Sequence, residues 1–195
     1  MAQRSVYIHQ GSADAIPGDA SSGLLFLRDF FPAIDSLSGA PHPIVAFLDP
    51  QACFITNSNP PVMAQPAIAM LELRGKHVDR FHHELHMAWD IDHTPGDTDH
   101  DHDHQQQQRQ QNSPTDDTKA SATRTVMYDS TTGTILQPDP EKFEIRTSEF
   151  NIITLRADPT GPHGLRAVEL RTFLDARPIQ QRAGVLQEQF AQGAA

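Results

Sequence analysis

Residues 80–92 read RFHHELHMAWDID. Phe81, Leu85, Met87, Trp89 and Ile91 recur at every second position, which predicts a β-strand with one buried face. On a strand, His82, Glu84 and His86 share the opposite, polar face. HELH is one residue short of the HExxH pattern of zinc proteases and lies on the wrong element for it. Three such groups on one face suit zinc chemically, but the preferred reading is a polar outer surface and no metal site. His83 falls on the apolar parity, between Phe81 and Leu85. A histidine there is either a hydrogen-bonded core residue or an acid/base group at a pocket wall.

Polar sequence follows directly. From about residue 92 to 122 the chain contains no Leu, Ile, Val, Phe, Tyr or Trp, and it includes DHDHDH and QQQQ. Such a tract cannot bury enough apolar surface to offset its conformational entropy, so a disordered low-complexity insertion is expected. Weak, unselective metal binding by DHDHDH is the less favoured alternative. The flanking segments look too small for separate cores, so the tract is read as a loop within one domain, with a linker between two domains as the less favoured alternative.

Upstream, SSGLLFLRDFFPAID predicts a helix with Leu24, Leu27, Phe31 and Ile34 at helical spacing, kinked or divided at Pro32. Asp35 ends it, on the same inward stripe as Phe31 and Leu27. It is either a solvated helix end or the partner of a buried histidine. IVAFLD predicts a short helix or turn, ACFITN a strand, and AQPAIAMLELRGKHV a second main helix, with Pro66 in its first turn and Gly75 near its end. Downstream, TRTVMYDS, KFEIRTSEF with NIITLRAD, and LRAVELRTFLDARPI predict three or four strands. In the last, Val168, Leu170, Thr172 and Leu174 form the apolar parity. GVLQEQF predicts a short terminal helix. Helices first and antiparallel strands afterwards define an α+β domain over residues 21–180, with a flexible segment 1–20 before it and a tail 181–195 after it.

Composition sets outer bounds. The 195 residues include 37% hydrophobic and 21% charged side chains, as in a globular domain with some unstructured sequence. A net charge of −10 argues against nucleic acid or an anionic membrane as partner. No apolar run approaches a membrane span and no signal-peptide core is present, so a cytoplasmic location is expected. The single cysteine, Cys53, allows no intrachain disulfide. No GxSxG, CxxC or phosphate-binding glycine loop occurs.

FLDPQACFITN, AQPAIAMLELR, HHELHMAWDI and FLDARPI, in that order, resemble the SnoaL-like group of the nuclear transport factor 2-like superfamily, most of all its fungal polyketide-cyclase-like and scytalone-dehydratase-like members. The resemblance covers roughly residues 24–91 and 123–179. It implies a cone: a curved, mixed, mostly antiparallel sheet packed on N-terminal helices, with a pocket between them. It also implies a homodimer through the outer sheet surface and a cofactor-free lyase, isomerase or cyclase reaction. The ligand would be a hydrophobic, oxygenated small molecule of polyketide or terpenoid type. Asp35 and His83 match the family's helix aspartate and sheet histidine, and are the expected catalytic pair. Phe31, Phe54, Leu85, Met87, Trp89 and Tyr128 are the expected pocket lining. A non-catalytic binding or dimerisation module of the same fold is the alternative.

Overall fold

The computed structural model describes residues 5–37, 41–93 and 122–193. Seven strands form one sheet: β1 (Val6–Gln10), β2 (Leu48–Thr56), β3 (Val62–Met63), β4 (Val78–Asp92), β5 (Ala122–Leu136), β6 (Glu144–Ala157) and β7 (Leu165–Leu174). Three helices accompany it: α1 (Ser22–Asp35), α2 (Ala64–Arg74) and α3 (Arg177–Gly193). The spatial order is β1-β4-β5-β6-β7-β2-β3. Every pairing is antiparallel except β2 with β7. The mixed, mostly antiparallel, curled sheet on helices is the α+β architecture expected. Most of the polar tract, residues 94–121, lies outside the described residues, so its expected disorder does too.

Helix α1 forms the centre of the core. Its buried positions are Gly23, Leu24, Phe26, Leu27, Phe30, Phe31 and Ala33, a wider stripe than the spacing of Leu24, Leu27 and Phe31 alone. Phe26 and Phe30 stack at 5.9 Å, and both meet Phe47 edge-on at 5.3 and 5.8 Å. The helix runs unbroken through Pro32 rather than dividing there. Pro32 sits in the last turn, where it forgoes the bond to the Arg28 carbonyl and only three helical residues follow it.

Both ends of α1 are held from elsewhere in the chain. At its start, the Gly23 N–H donates to Asp90 Oδ2 at 3.2 Å, and Arg124 also pairs with that carboxylate. A carboxylate at a helix N-terminus satisfies an orphan donor and complements the dipole. At its end, the Arg74 guanidinium donates to the carbonyls of Ile34 and, at 3.2 Å, Ser36.

The parity of β4 changes part-way along. Leu85 pairs with Ser130 and Met87 with Asp129, so His86 is an extra residue, a β-bulge. Phe81, His83 and Leu85 face the helices as expected. Beyond the bulge the inward residues are Ala88 and Asp90, both fully buried. Met87, Trp89 and Ile91 turn to the outer face, where Trp89 packs on Phe150 at 6.3 Å between ring centroids. The expectation that Met87 and Trp89 face the pocket is thereby corrected: one inserted residue reverses every side chain after it. Trp89→Ala in a dilute monomer is expected to cost about 1 kcal/mol, against about 3–5 kcal/mol for Phe26→Ala. Urea melts of both variants check the order, and a reversed order would place Trp89 in the core.

Other boundaries differ from expectation in the same local way. Residues 6–10, expected to be flexible, form strand β1 against Met87–Ile91. The segments KFEIRTSEF and NIITLRAD are one continuous strand, β6. In β7 a second irregularity falls at Val168, so Leu165 and Ala167 face the core beside Leu170. The terminal helix is longer than GVLQEQF: α3 starts at Arg177, whose N–H is accepted by Asp175 at 3.0 Å. Among the described residues no helix is long and apolar enough to cross a membrane.

Candidate active site

Between α1, α2 and the concave sheet face lies a cavity of about 400 Å³. Its walls are mainly apolar, from Phe30, Phe54, Phe81, Ile153 and Leu170, with a few polar groups interspersed. His83 is the group around which those polar residues gather. Its side chain is only 6% exposed.

Asp35 grips His83 twice. Oδ2 accepts the His83 backbone N–H at 3.0 Å, and Oδ1 pairs with ring Nδ1. The last turn of α1 places the carboxylate here, and β1 leaves this part of β4 unpaired on its edge side. The other ring nitrogen, Nε2, lies 2.9 Å from Glu149 Oε1. Glu149 comes from β6, two strands away, and is also buried. Its Oε1 further accepts from Ser130 Oγ and Asn151 Nδ2, each at 3.1 Å, and Thr172 Oγ1 donates to Asn151 Oδ1 at 2.7 Å. Asp35, His83 and Glu149 thus form a continuous carboxylate–imidazole–carboxylate line. His83 and Glu149 border the cavity, with Asp35 behind the ring.

This environment sets the charge of the imidazole. Burial alone would lower its pKa, but the hydrogen bonds and charges of Asp35 and Glu149 outweigh it and push the value from 6.5 up to about 9. The ring is therefore an imidazolium at neutral pH. Because the folded-state pKa is raised, its contribution to stability is complete below about pH 6.5 and lost as pH rises through about 9. That contribution is on the order of 3 kcal/mol at neutral pH and below, down to where the carboxylates protonate. Urea melts of wild type and His83→Gln from about pH 6 to about pH 10 should show the wild-type advantage shrinking as pH rises. A constant difference would mean that the ring is neutral throughout.

Phe31 and Phe81 enclose the ring, with centroids 5.3 and 5.2 Å from it. Tyr128 is fully interior; burial first, then the charges of Glu149 and Asp35, hold its hydroxyl well above the usual range. It remains a neutral O–H at the cavity wall. The opposite side of His83 holds Arg74, whose guanidinium carbon is 4.0 Å from the Phe81 ring centre.

Of the expected lining, Phe54 and Tyr128 border the cavity. The other four do not. Phe31 supports His83 and Tyr128 from behind, Leu85 is core at 5% exposure, and Met87 and Trp89 are on the outer face. On that face His82 contacts Glu84 at 3.3 Å, Arg146 binds Glu84, and His86 bonds to Thr131 at 2.8 Å. Among the described residues no group of three or more His, Cys, Asp and Glu side chains is arranged to hold a metal. Glu149, Asn151 and Arg74 are additions to the expected site. A signal for Glu149 existed: it shares its strand parity with Ile145, Ile153 and Leu155. A carboxylate on an apolar parity is the same kind of exception that singled out His83.

The architecture is matched by solved structures. PrhC from Penicillium brasilianum superposes with a TM-score of 0.53 at 11% identity, covering 89% of this chain and 90% of that one. BvnE pinacolase from Penicillium brevicompactum gives 0.54 at 10% identity, covering 87% and 96%. A SnoaL-like polyketide cyclase from Jannaschia sp. CCS1 gives 0.51 at 13% identity, covering 84% and 95%. The chain shares the fold of these structures, a SnoaL-like fold. No family model and no curated protein sequence matches it.

Proposed function

We propose that this protein is a cofactor-free acid–base enzyme, a lyase, isomerase or cyclase, acting on a hydrophobic, oxygenated small molecule of polyketide or terpenoid type. The observation that carries this reading is the buried line Asp35–His83–Glu149 ending at the wall of an apolar cavity. Structural ion pairs usually satisfy themselves away from cavities, whereas perturbed groups gathered at one are the mark of proton-transfer sites. Pinacolase and polyketide cyclase among the structural neighbours are consistent with it.

The roles follow from the geometry. Glu149 borders the cavity, and all three of its donors bind Oε1. Oε2 is then the oxygen that removes a proton from a carbon next to a carbonyl. The His83 imidazolium stabilises the carboxylate before transfer and shares the proton after it. Asp35 fixes the ring's orientation and keeps it charged. The Tyr128 hydroxyl, still protonated, donates to the enolate oxygen that forms.

Solvent hydrogen exchange tests this without knowledge of the true product. Purified protein in deuterium oxide should accelerate deuterium uptake next to the carbonyl of small aryl ketones and 1,3-diketones, read by proton NMR. Glu149→Gln should slow this about 100-fold or more with the fold intact by circular dichroism. Uptake equal in wild type and variant would leave a binding module of the same fold as the better reading.

Self-association belongs to the same proposal. The outer row Ile8–Trp89–Met127–Ile152 aligns apolar side chains across the strands, and beside it Met87, Phe150 and Phe173 share a row with the charged Asp129. A second copy of the sheet is their proposed cover. Trp89→Glu is expected to turn a dimer into a monomer in sedimentation experiments, and a wild-type monomer at high concentration would remove this part.

A further inference from the structure

Among the described residues, Arg74 is the one strongly basic side chain that shares the cavity wall with His83 and Glu149 and forms no ion pair, with Asp35 acting on its charge only through space. Its hydrogen bonds go to two backbone carbonyls at the end of α1. Its Nε is buried and has no partner. The other arginine at the cavity, Arg171, is already bound by Glu169 through two nitrogens at 2.6 and 3.3 Å. Nε has no surface open to the cavity, so a ligand would be met by Nη1, which makes no hydrogen bond among the described residues and is not enclosed. A guanidinium N–H suits an anionic oxygen in particular.

Position strengthens the case. On β4, Phe81 carries Arg74 on its face and stands two residues before His83. Tyr128 pairs with Ala88, on the far side of His83 along the strand. The two candidate oxygen-binding groups therefore flank the proton-transfer line, one at each end.

We propose that Arg74 recognises an anionic oxygen group, such as a carboxylate, on the ligand, so that the cavity selects apolar small molecules carrying one acidic end. The inference rests on the cavity being a ligand site, as in the proposed function. The acidic end binds at Arg74, the reacting carbon lies over Glu149, and the carbonyl reaches Tyr128. Specificity then comes from Arg74 and chemistry from the other two.

Two fluorescent probes that differ by one charge test this. 1-Anilinonaphthalene-8-sulfonate and N-phenyl-1-naphthylamine share their ring system, and only the first carries an anion. Arg74→Gln should weaken binding of the sulfonate tenfold or more and leave the neutral probe within twofold. Arg74→Lys should retain most of the sulfonate affinity. In the unaltered protein, the sulfonate but not the neutral probe should protect Arg74 from phenylglyoxal, read by peptide mass spectrometry; this arm needs no variant to fold. Leu170→Trp, which fills the cavity, should abolish binding of both. Equal weakening of the two probes by Arg74→Gln, or equal phenylglyoxal labelling with either bound, would overturn the role of Arg74 alone. Binding of both probes unchanged by Leu170→Trp would overturn the cavity as a ligand site and the inference with it.

Discussion

Asp35→Ala is expected to destabilise the protein by about 3–5 kcal/mol near pH 6, the usual cost of breaking a buried ion pair. The variant loses two contacts at once: the bond from the His83 backbone N–H and the pairing with Nδ1. Glu149 then remains as the only carboxylate on the ring. The imidazolium answers by releasing its proton at a lower pH than the about 9 of the intact line. The loss of stability should therefore be largest where wild-type His83 is charged and smaller toward pH 10. Asp35→Asn keeps the shape and an acceptor for the backbone N–H, so it should recover part of the stability. Denaturant melts across pH measure both variants. A cost under about 1 kcal/mol at pH 6 would mean that the contact is a solvated one.

Gly23→Ala should cost about 3 kcal/mol, by overpacking a closed contact. A Cβ on Gly23 would meet the Asp90 carboxylate carbon and both its oxygens, closer than side chains approach. Asp90 cannot retreat easily, because it is fully buried and held by Arg124. Gly18→Ala is the control. Nothing lies within 4 Å of a Cβ there, and its effect should be within about 0.5 kcal/mol. The cost at Gly23 should also fall by more than about 1 kcal/mol when Asp90 is itself replaced by alanine, since the two share one contact. Additive effects in that cycle would locate the strain elsewhere.

The parts of this fold visible in the sequence are those governed by local rules. Helical spacing of apolar residues marked α1, and Pro66 with Gly75 bracketed α2. Alternation marked β4 and the inward placement of His83. The α1 spacing also put Asp35 on the stripe that reaches it. What alternation could not signal was the extra residue at His86, because a bulge breaks the pattern through backbone pairing with β5 and leaves the side-chain types unchanged. Met87 and Trp89 were misplaced for that reason alone. Glu149 and Arg74 were hidden differently. Each reaches the site from another element, Glu149 from β6, 66 residues after His83, and Arg74 from the end of α2, 9 residues before it. Only the strand order brings β6 to two strands from β4, and only the packing of α2 brings Arg74 over Phe81.

The bulge at His86 also acts as a ruler. Strand β4 clasps α1 at two points, His83 on Asp35 and Asp90 on Gly23. From Gly23 to Asp35 the helix rises about 18 Å. A regular strand from His83 to Asp90 would span about 23 Å, and taking up one residue in a bulge brings it to about 20 Å. Absorbing the extra residue thus sets both the length and the facing of the strand, so that both clasps close on one helix. Deleting His86 should close the bulge and leave both clasps standing, because Leu85 and Met87 already face consecutive residues of β5, whereas straightening the bulge into regular strand would turn Asp90 to the outer face. A one-residue insertion between His83 and Asp90 should accordingly be rejected, while loss of the bulged residue itself should be tolerated, and urea melts of the two variants check the difference.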